Sequence, residues 1–176
     1  MKQSNRKRTN LNAIKMLVLD VDGVLTDGTI VVDDRGRESK FFNAQDGHGL
    51  KLWKRTGLKT AFLSGRESPP TKQHAKEYEI DFCLEGRRDK LAGLKELEKM
   101  SGLAAEQMAY VGDDLPDLPP MRCTGFSAAV ANAVDEVKAA AKYVTIRGGG
   151  RGAVREVIEY ILKKTGRWNE IMVKYR

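Results

Sequence analysis

Three groups of polar residues each follow directly on a short apolar run. Met16-Leu17-Val18-Leu19 leads into Asp20-Val21-Asp22-Gly23-Val24, Thr60-Ala61-Phe62-Leu63 into Ser64-Gly65-Arg66, and Met108-Ala109-Tyr110-Val111 into Gly112-Asp113-Asp114-Leu115-Pro116-Asp117. In open α/β sheets ligands bind beyond the carboxyl ends of the strands, so these are the positions where chemistry is expected. Carboxylates gathered in one crevice repel one another unless a cation shares them. Their hard oxygens favour magnesium, which makes a divalent cation the expected cofactor. The chain has neither a P-loop pattern nor HExxH, which sets aside P-loop nucleotide hydrolysis and zinc hydrolysis.

The elements that must carry these residues alternate along the chain. The apolar run 16–19 reads as a strand buried on both faces of a parallel sheet. Residues 29–42, broken by the turn-like Asp34-Arg35-Gly36, read as a hairpin. A helix through Gly49–Lys54 is stopped by Gly57; strand 60–63, a helix around 71–78 and strand 81–84 follow. Helix 89–100 carries Leu91, Leu94 and Leu97, and strand 108–111 comes next. A short helix at 118–121, strand 126–130, helix 133–141, strand 143–146 and a long helix Ala153–Lys164 complete the pattern. Strands separated by helices of about ten residues predict an open, mostly parallel α/β sheet.

With 176 residues, 41% of them hydrophobic and 31% charged, the composition fits one globular domain with a substantial core. The basic stretch at the start has no apolar segment behind it, so residues 1–12 read as a solvated tail and 13–176 as the domain, located in the cytoplasm. Cys83 and Cys123 form no CxxC pair and are expected to be reduced core thiols. The net charge of +7 is unevenly spread: residues 1–10 carry four basic and no acidic side chains, and 147–176 carry eight basic and three acidic. A near-neutral body with basic ends fits an anion site. No aromatic-interleaved basic stripe or helix-turn-helix signature supports nucleic acid as a partner.

Asp20-x-Asp22-Gly23, Ser64-Gly65, Lys90 and Gly112-Asp113-Asp114-x-x-Asp117, in that order, resemble the four motifs of the haloacid dehalogenase (HAD) superfamily. The resemblance implies a Rossmann-like three-layer fold and an aspartyl-phosphate mechanism. It makes Asp20 the nucleophile, since a carboxylate is already ionised at neutral pH, and Asp22 the group that protonates the leaving oxygen and then activates water. Magnesium would sit between Asp20, Asp113 and the main-chain carbonyl of Asp22. Ser64, Gly65 and Lys90 would hold phosphate oxygens, with Asp114 and Asp117 behind them.

The gaps between motifs are short, 41 residues from Asp22 to Ser64 and 22 from Lys90 to Asp113, so neither holds a cap domain. The segments Asp22–Gly28, Phe42-Asn43 with Asp46-Gly47-His48-Gly49, Ser64-Gly65-Arg66 and Gly149–Glu156 resemble the capless tetrameric phosphatases of 3-deoxy-D-manno-octulosonate (KDO) 8-phosphate. That likeness implies a sugar-acid phosphate as the small-molecule partner and a role in lipopolysaccharide precursor synthesis. It also implies a homotetramer joined through projecting hairpins, with no membrane partner. Ile30, Val32 and Phe41-Phe42 would supply the interface, core packing being the other reading of them. Arg66 and Arg151 would contact the sugar or carboxylate, Arg151 from a flexible Gly148–Gly152 loop that orders over the substrate. A nine-carbon, sialic-acid-type phosphate is the alternative substrate. An inactive binding module is a further alternative, although Asp20, Asp22, Lys90 and Asp113 are all present.

Overall fold

The computed structural model describes residues 9–176, so residues 1–8 of the expected tail lie outside the described residues. Asn10 caps a 3-10 turn at Leu11–Ala13, and Ile14 behind it is fully buried. The strands are β1 (Met16–Leu19), β2 (Val31–Val32), β3 (Glu38–Ser39), β4 (Lys59–Leu63), β5 (Phe82–Leu84), β6 (Met108–Gly112), β7 (Phe126–Ala129) and β8 (Tyr143–Val144). Between them run α1 (Ala44–Arg55), α2 (Pro69–Glu77), α3 (Lys90–Ser101), α4 (Leu118–Cys123), α5 (Asp135–Ala140), α6 (Ala153–Lys164) and α7 (Arg167–Val173).

Six strands form one parallel sheet in the order β5-β4-β1-β6-β7-β8, and β2 pairs antiparallel with β3. Every residue of β1 and β6 is buried, as befits strands covered on both faces. Helices α1, α6 and α7 pack together, as do α3, α4 and α5, giving helical layers around the sheet. The chain leaves β1 towards β4 and β5 and then returns to β6 on the other side of β1. That reversal opens a crevice at the carboxyl end of β1.

Three expectations are corrected. The hairpin spans the expected region, but only Val31 and Val32 pair with Ser39 and Glu38. Helix α7 has no counterpart in the sequence pattern. It has a single buried residue, Ile171, and is held by packing on α6, with the Arg155 and Lys163 cations over its Trp168 ring. The cysteines are free but exposed rather than in the core: Cys83 lies on edge strand β5 and Cys123 ends α4.

The hairpin is anchored to the domain through an aromatic stack. The His74 ring of α2 lies on Phe42 with centroids 3.7 Å apart and planes within 5°, and the Tyr78 ring lies tilted against the same imidazole at 4.6 Å. His74 is buried, and burial pushes its pKa down from 6.5 to about 4. The imidazole is therefore neutral in the folded protein at pH values where it is charged in the unfolded chain. Its contribution is fully present above pH 6.5 and is lost as pH falls towards 4, amounting to about 2 kcal/mol by pH 5. In urea unfolding at pH 7 and pH 5, His74→Phe should retain the stack and lose less stability between the two pH values than the parent, by about that amount. Parallel losses would show that His74 is not a source of acid sensitivity.

Candidate active site

Leu19 pairs with Phe62 of β4 on one side and Val111 of β6 on the other. Asp20, with its N–H donating to the Val111 carbonyl at 3.1 Å, therefore emerges between Ser64 and Asp113. The chain then turns sharply, with the N–H groups of Val24, Leu25 and Thr26 all donating to the Val21 carbonyl. Gly23 sits at φ 89°, and a β-carbon there would lie 2.0 Å from Asp113 Oδ2. Glycine is thus what lets the two acidic segments approach.

One oxygen each of Asp20, Asp113 and Asp117 lie within 4.8 Å of one another. Lys90, the first residue of α3, inserts its ammonium between two of them, 2.7 Å from Asp20 Oδ2 and 2.6 Å from Asp117 Oδ1. Burial alone would lower the Lys90 pKa, but Asp20 and Asp117 outweigh it and hold the ammonium above its usual value. Burial and Asp117 raise Asp20 to about 6 against the opposing pull of Lys90. Burial, Asp20 and Asp117 raise Asp113 to about 8. One lysine does not balance three carboxylates.

A divalent cation fits this deficit. Asp113 Oδ1 is buried without a hydrogen-bond partner, and the donors are hard carboxylate oxygens. Asp117 meets the distance criterion for a ligand, yet its oxygens are already engaged. Oδ1 accepts from Lys90 and from the Tyr110 hydroxyl at 2.8 Å, and Oδ2 accepts from the N–H groups of Asp113 and Asp114. It holds Lys90 and the Asp113 loop in place. Asp114 turns to the N–H of Leu115 and caps the 3-10 turn Leu115–Asp117.

Above these groups lies a cavity of about 490 Å³ whose lining includes Asp20, Asp22, Ser64, Gly65, Arg66, Lys90, Asp113 and Asp114. The structure thus brings together every expected site residue but one. Arg151 does not line it: its side chain is 74% exposed and its guanidinium lies 3.2 Å from Asp27. Nor is the glycine loop loose. Gly150 N–H donates to the Val24 carbonyl at 3.0 Å, Gly149 N–H to Asn132 Oδ1 at 2.8 Å, and Gly152 N–H to the buried Asp46. A β-carbon on Gly149 would meet the Gly23 carbonyl oxygen at 1.7 Å. The glycines let two backbones touch, so the loop buttresses the turn after Asp22 without any ligand.

Four participants escaped the sequence. Arg88, two residues before Lys90, lines the cavity. Asp46 and Asn132 fasten the glycine loop. Lys40, from the residues after β3, is 1% exposed at its side chain and pairs with Asp22 at 2.5 Å. Of these only Asp46 carried a signal, through its place in the Asp46-Gly47-His48-Gly49 segment.

Residues 84–158 match the model of the haloacid dehalogenase-like hydrolases. The 3-deoxy-D-manno-octulosonate 8-phosphate phosphatase of Salmonella typhi is 38% identical over 167 residues, 95% of this chain and 89% of the relative. The chain belongs to this phosphatase family. Family members of known structure superpose closely. The Moraxella catarrhalis phosphatase, crystallised with magnesium, phosphate and KDO, gives a TM-score of 0.91 at 40% identity, covering 94% of this chain and 95% of that one. The cobalt-bound Haemophilus influenzae phosphatase gives 0.86 at 40% identity, covering 89% and 91%.

The buttress makes a direct prediction. Gly149→Ala should displace the Gly23 carbonyl and the adjoining Asp22, lowering phosphatase turnover at least about tenfold while costing roughly 1–3 kcal/mol of stability. Turnover and thermal unfolding measured together test it; unchanged turnover would mean that the loop does not set the turn.

Proposed function

We infer that this chain is a magnesium-dependent phosphatase that hydrolyses KDO 8-phosphate to KDO and phosphate through a phosphoryl group carried on Asp20. The observation that carries this is the Asp20 carboxylate at the base of an open cavity, 2.7 Å from the Lys90 ammonium and beside Asp113, with Asp22 two residues further on. The relatives' named substrate supplies the sugar acid.

Asp20 is the nucleophile. Its oxygen forms a bond to phosphorus while the bond from phosphorus to the sugar oxygen breaks, and Asp22 gives that oxygen a proton. Asp22, now a carboxylate, takes a proton from water as the water oxygen bonds to phosphorus. Asp20 then leaves with the bonding electron pair. Lys90, with the Ser64 hydroxyl and the Gly65 backbone, holds the phosphate oxygens and offsets the meeting of two anions. Asp20, Asp113 and the Asp22 carbonyl would hold magnesium, which when bound supplies further positive charge at the phosphate. Asp117 and Asp114 keep Lys90 and the Asp113 loop in register. Arg66 at the cavity wall is suited to the substrate carboxylate. Arg151, outside the cavity lining and exposed beside Asp27, is the other arginine we assign to the sugar or carboxylate end of the substrate.

The open site also supports assembly. Ile30, Val31, Val32 and Phe41 are all exposed, Phe41 by 74%, so they do not pack into their own core; of the hairpin's apolar residues Phe42 turns inward. A two-rung hairpin is marginal by itself. We propose that copies meet through it as a homotetramer whose neighbours restrict each cavity. Among the described residues no helix is long and apolar enough to cross a membrane. Two unpaired cysteines accord with work in the reducing cytoplasm.

Two experiments test these readings. Hydrolysis of KDO 8-phosphate should require Mg²⁺ and be abolished in Asp20→Asn, with eight-carbon preferred to nine-carbon ulosonic phosphates in steady-state kinetics. Turnover that resists chelation, or an active Asp20→Asn enzyme, would overturn the mechanism. In equilibrium sedimentation the parent should be a tetramer, and Val32→Ser with Phe41→Ser should shift it to smaller species with a raised KM for the sugar phosphate. A fully active monomer would overturn the assembly.

A further inference from the structure

Lys40 carries an enclosed positive charge outside the phosphate site. Its side chain is 1% exposed, and its ammonium lies 2.5 Å from Asp22 Oδ1 and 3.5 Å from Glu38 Oε1. Taking an ammonium out of water is costly, so it is found only where partners compensate it. Lys40 does not line the cavity, whereas Asp22 does. Asp22 is therefore its nearest link to bound substrate, with Glu38 and Arg66 forming a longer second one.

The two Asp22 oxygens differ. Oδ1 is taken by Lys40, while Oδ2 is buried, has no hydrogen-bond partner, and lies 3.6 Å from Arg66 Nε. Arg66 is itself turned towards Glu38, with Nη2 at 3.4 Å from Oε2. Lys40 and Glu38 come from the hairpin, Arg66 from the segment after β4, and all three converge on one carboxyl group. A carboxyl held at one oxygen cannot rotate freely, so its other oxygen is presented in a fixed direction.

We propose that Lys40 is a positioning residue for the proton transfer: by holding Asp22 Oδ1 it makes Oδ2 the atom that exchanges the proton. In the first step Oδ2 delivers its proton to the sugar oxygen, which keeps the electron pair of the broken bond to phosphorus. In the second, Oδ2 takes a proton from the water whose oxygen bonds to phosphorus as Asp20 departs. The hairpin thereby does two things, offering its apolar face outward and fixing the proton donor inward. This rests on the assignment of Asp22 under the proposed function.

The test exploits leaving groups. A sugar alkoxide needs the proton as it departs, whereas a phenolate does not, so mispositioning of Asp22 should slow only the former in the first step. Lys40→Met should lower kcat on KDO 8-phosphate by about 10- to 100-fold with KM within about threefold, while the phenolate burst from a nitrophenyl phosphate slows less than about threefold. Lys40→Gln, equally uncharged and of similar length, gives the same comparison if circular dichroism shows that Lys40→Met does not fold. Equal losses on both substrates, or no loss on the sugar phosphate, would overturn the role of Lys40. Asp22→Asn is run alongside. If it shows the leaving-group difference and the Lys40 variants do not, the inference falls alone; if it too lacks the difference, the assignment of Asp22 falls and the inference with it.

Discussion

The structure depends on a charge imbalance at the end of one strand. Three carboxylates approach within 4.8 Å where β1 and β6 end, and one lysine stands between two of them. Burial and mutual repulsion push the pKa values of Asp20 and Asp113 upward, against the pull of Lys90. A cation and a phosphate complete the cluster. Much of the surrounding fold serves to hold these groups together against their repulsion.

That holding is done largely by backbone. Asp117 accepts from two N–H groups of its own loop, the turn after Asp20 closes on a single carbonyl, and the glycine loop from 148 to 152 presses backbone against backbone to brace that turn. Asp46, buried beneath the start of α6, accepts from Gly152 and Arg155 and ties this brace to α1. Burial raises its pKa against the opposing backbone donors. Rigid backbone contacts suit a site whose charged groups must not relax apart before substrate arrives.

The hairpin occupies an unusual position between interior and exterior. Its alternation sends Lys40 and Phe42 inward, to Asp22 and His74, and Phe41 outward into solvent. Only two pairs of residues form its ladder, so the ion pair and the aromatic stack that follow β3 help to hold it to the domain. The 41 residues between Asp22 and Ser64 hold this hairpin and helix α1, and the hairpin's outer face leaves Val32 and Phe41 exposed.

Sequence alone determined the order of elements, the strand-end location of Asp20, Ser64 and Asp113, the place of Lys90 at a helix start, and the short gaps between these motifs. These follow from local patterns: apolar runs four residues long, helices punctuated by glycine, and acidic motifs at fixed spacing. Tertiary structure decided what depends on contacts between distant segments. Whether Arg151 reaches the cavity or pairs with Asp27 turns on how residues 148–152 dock against residues 23–27, more than a hundred positions away. Lys40, in a run of exposed polar residues, looks like any solvated lysine until the fold sets Asp22 beside it. The exposure of Cys83 is likewise a matter of β5 lying at the edge of the sheet. Periodicity reports which face of an element is buried; it does not report which charge will be buried with a partner, because that energy belongs to the pair.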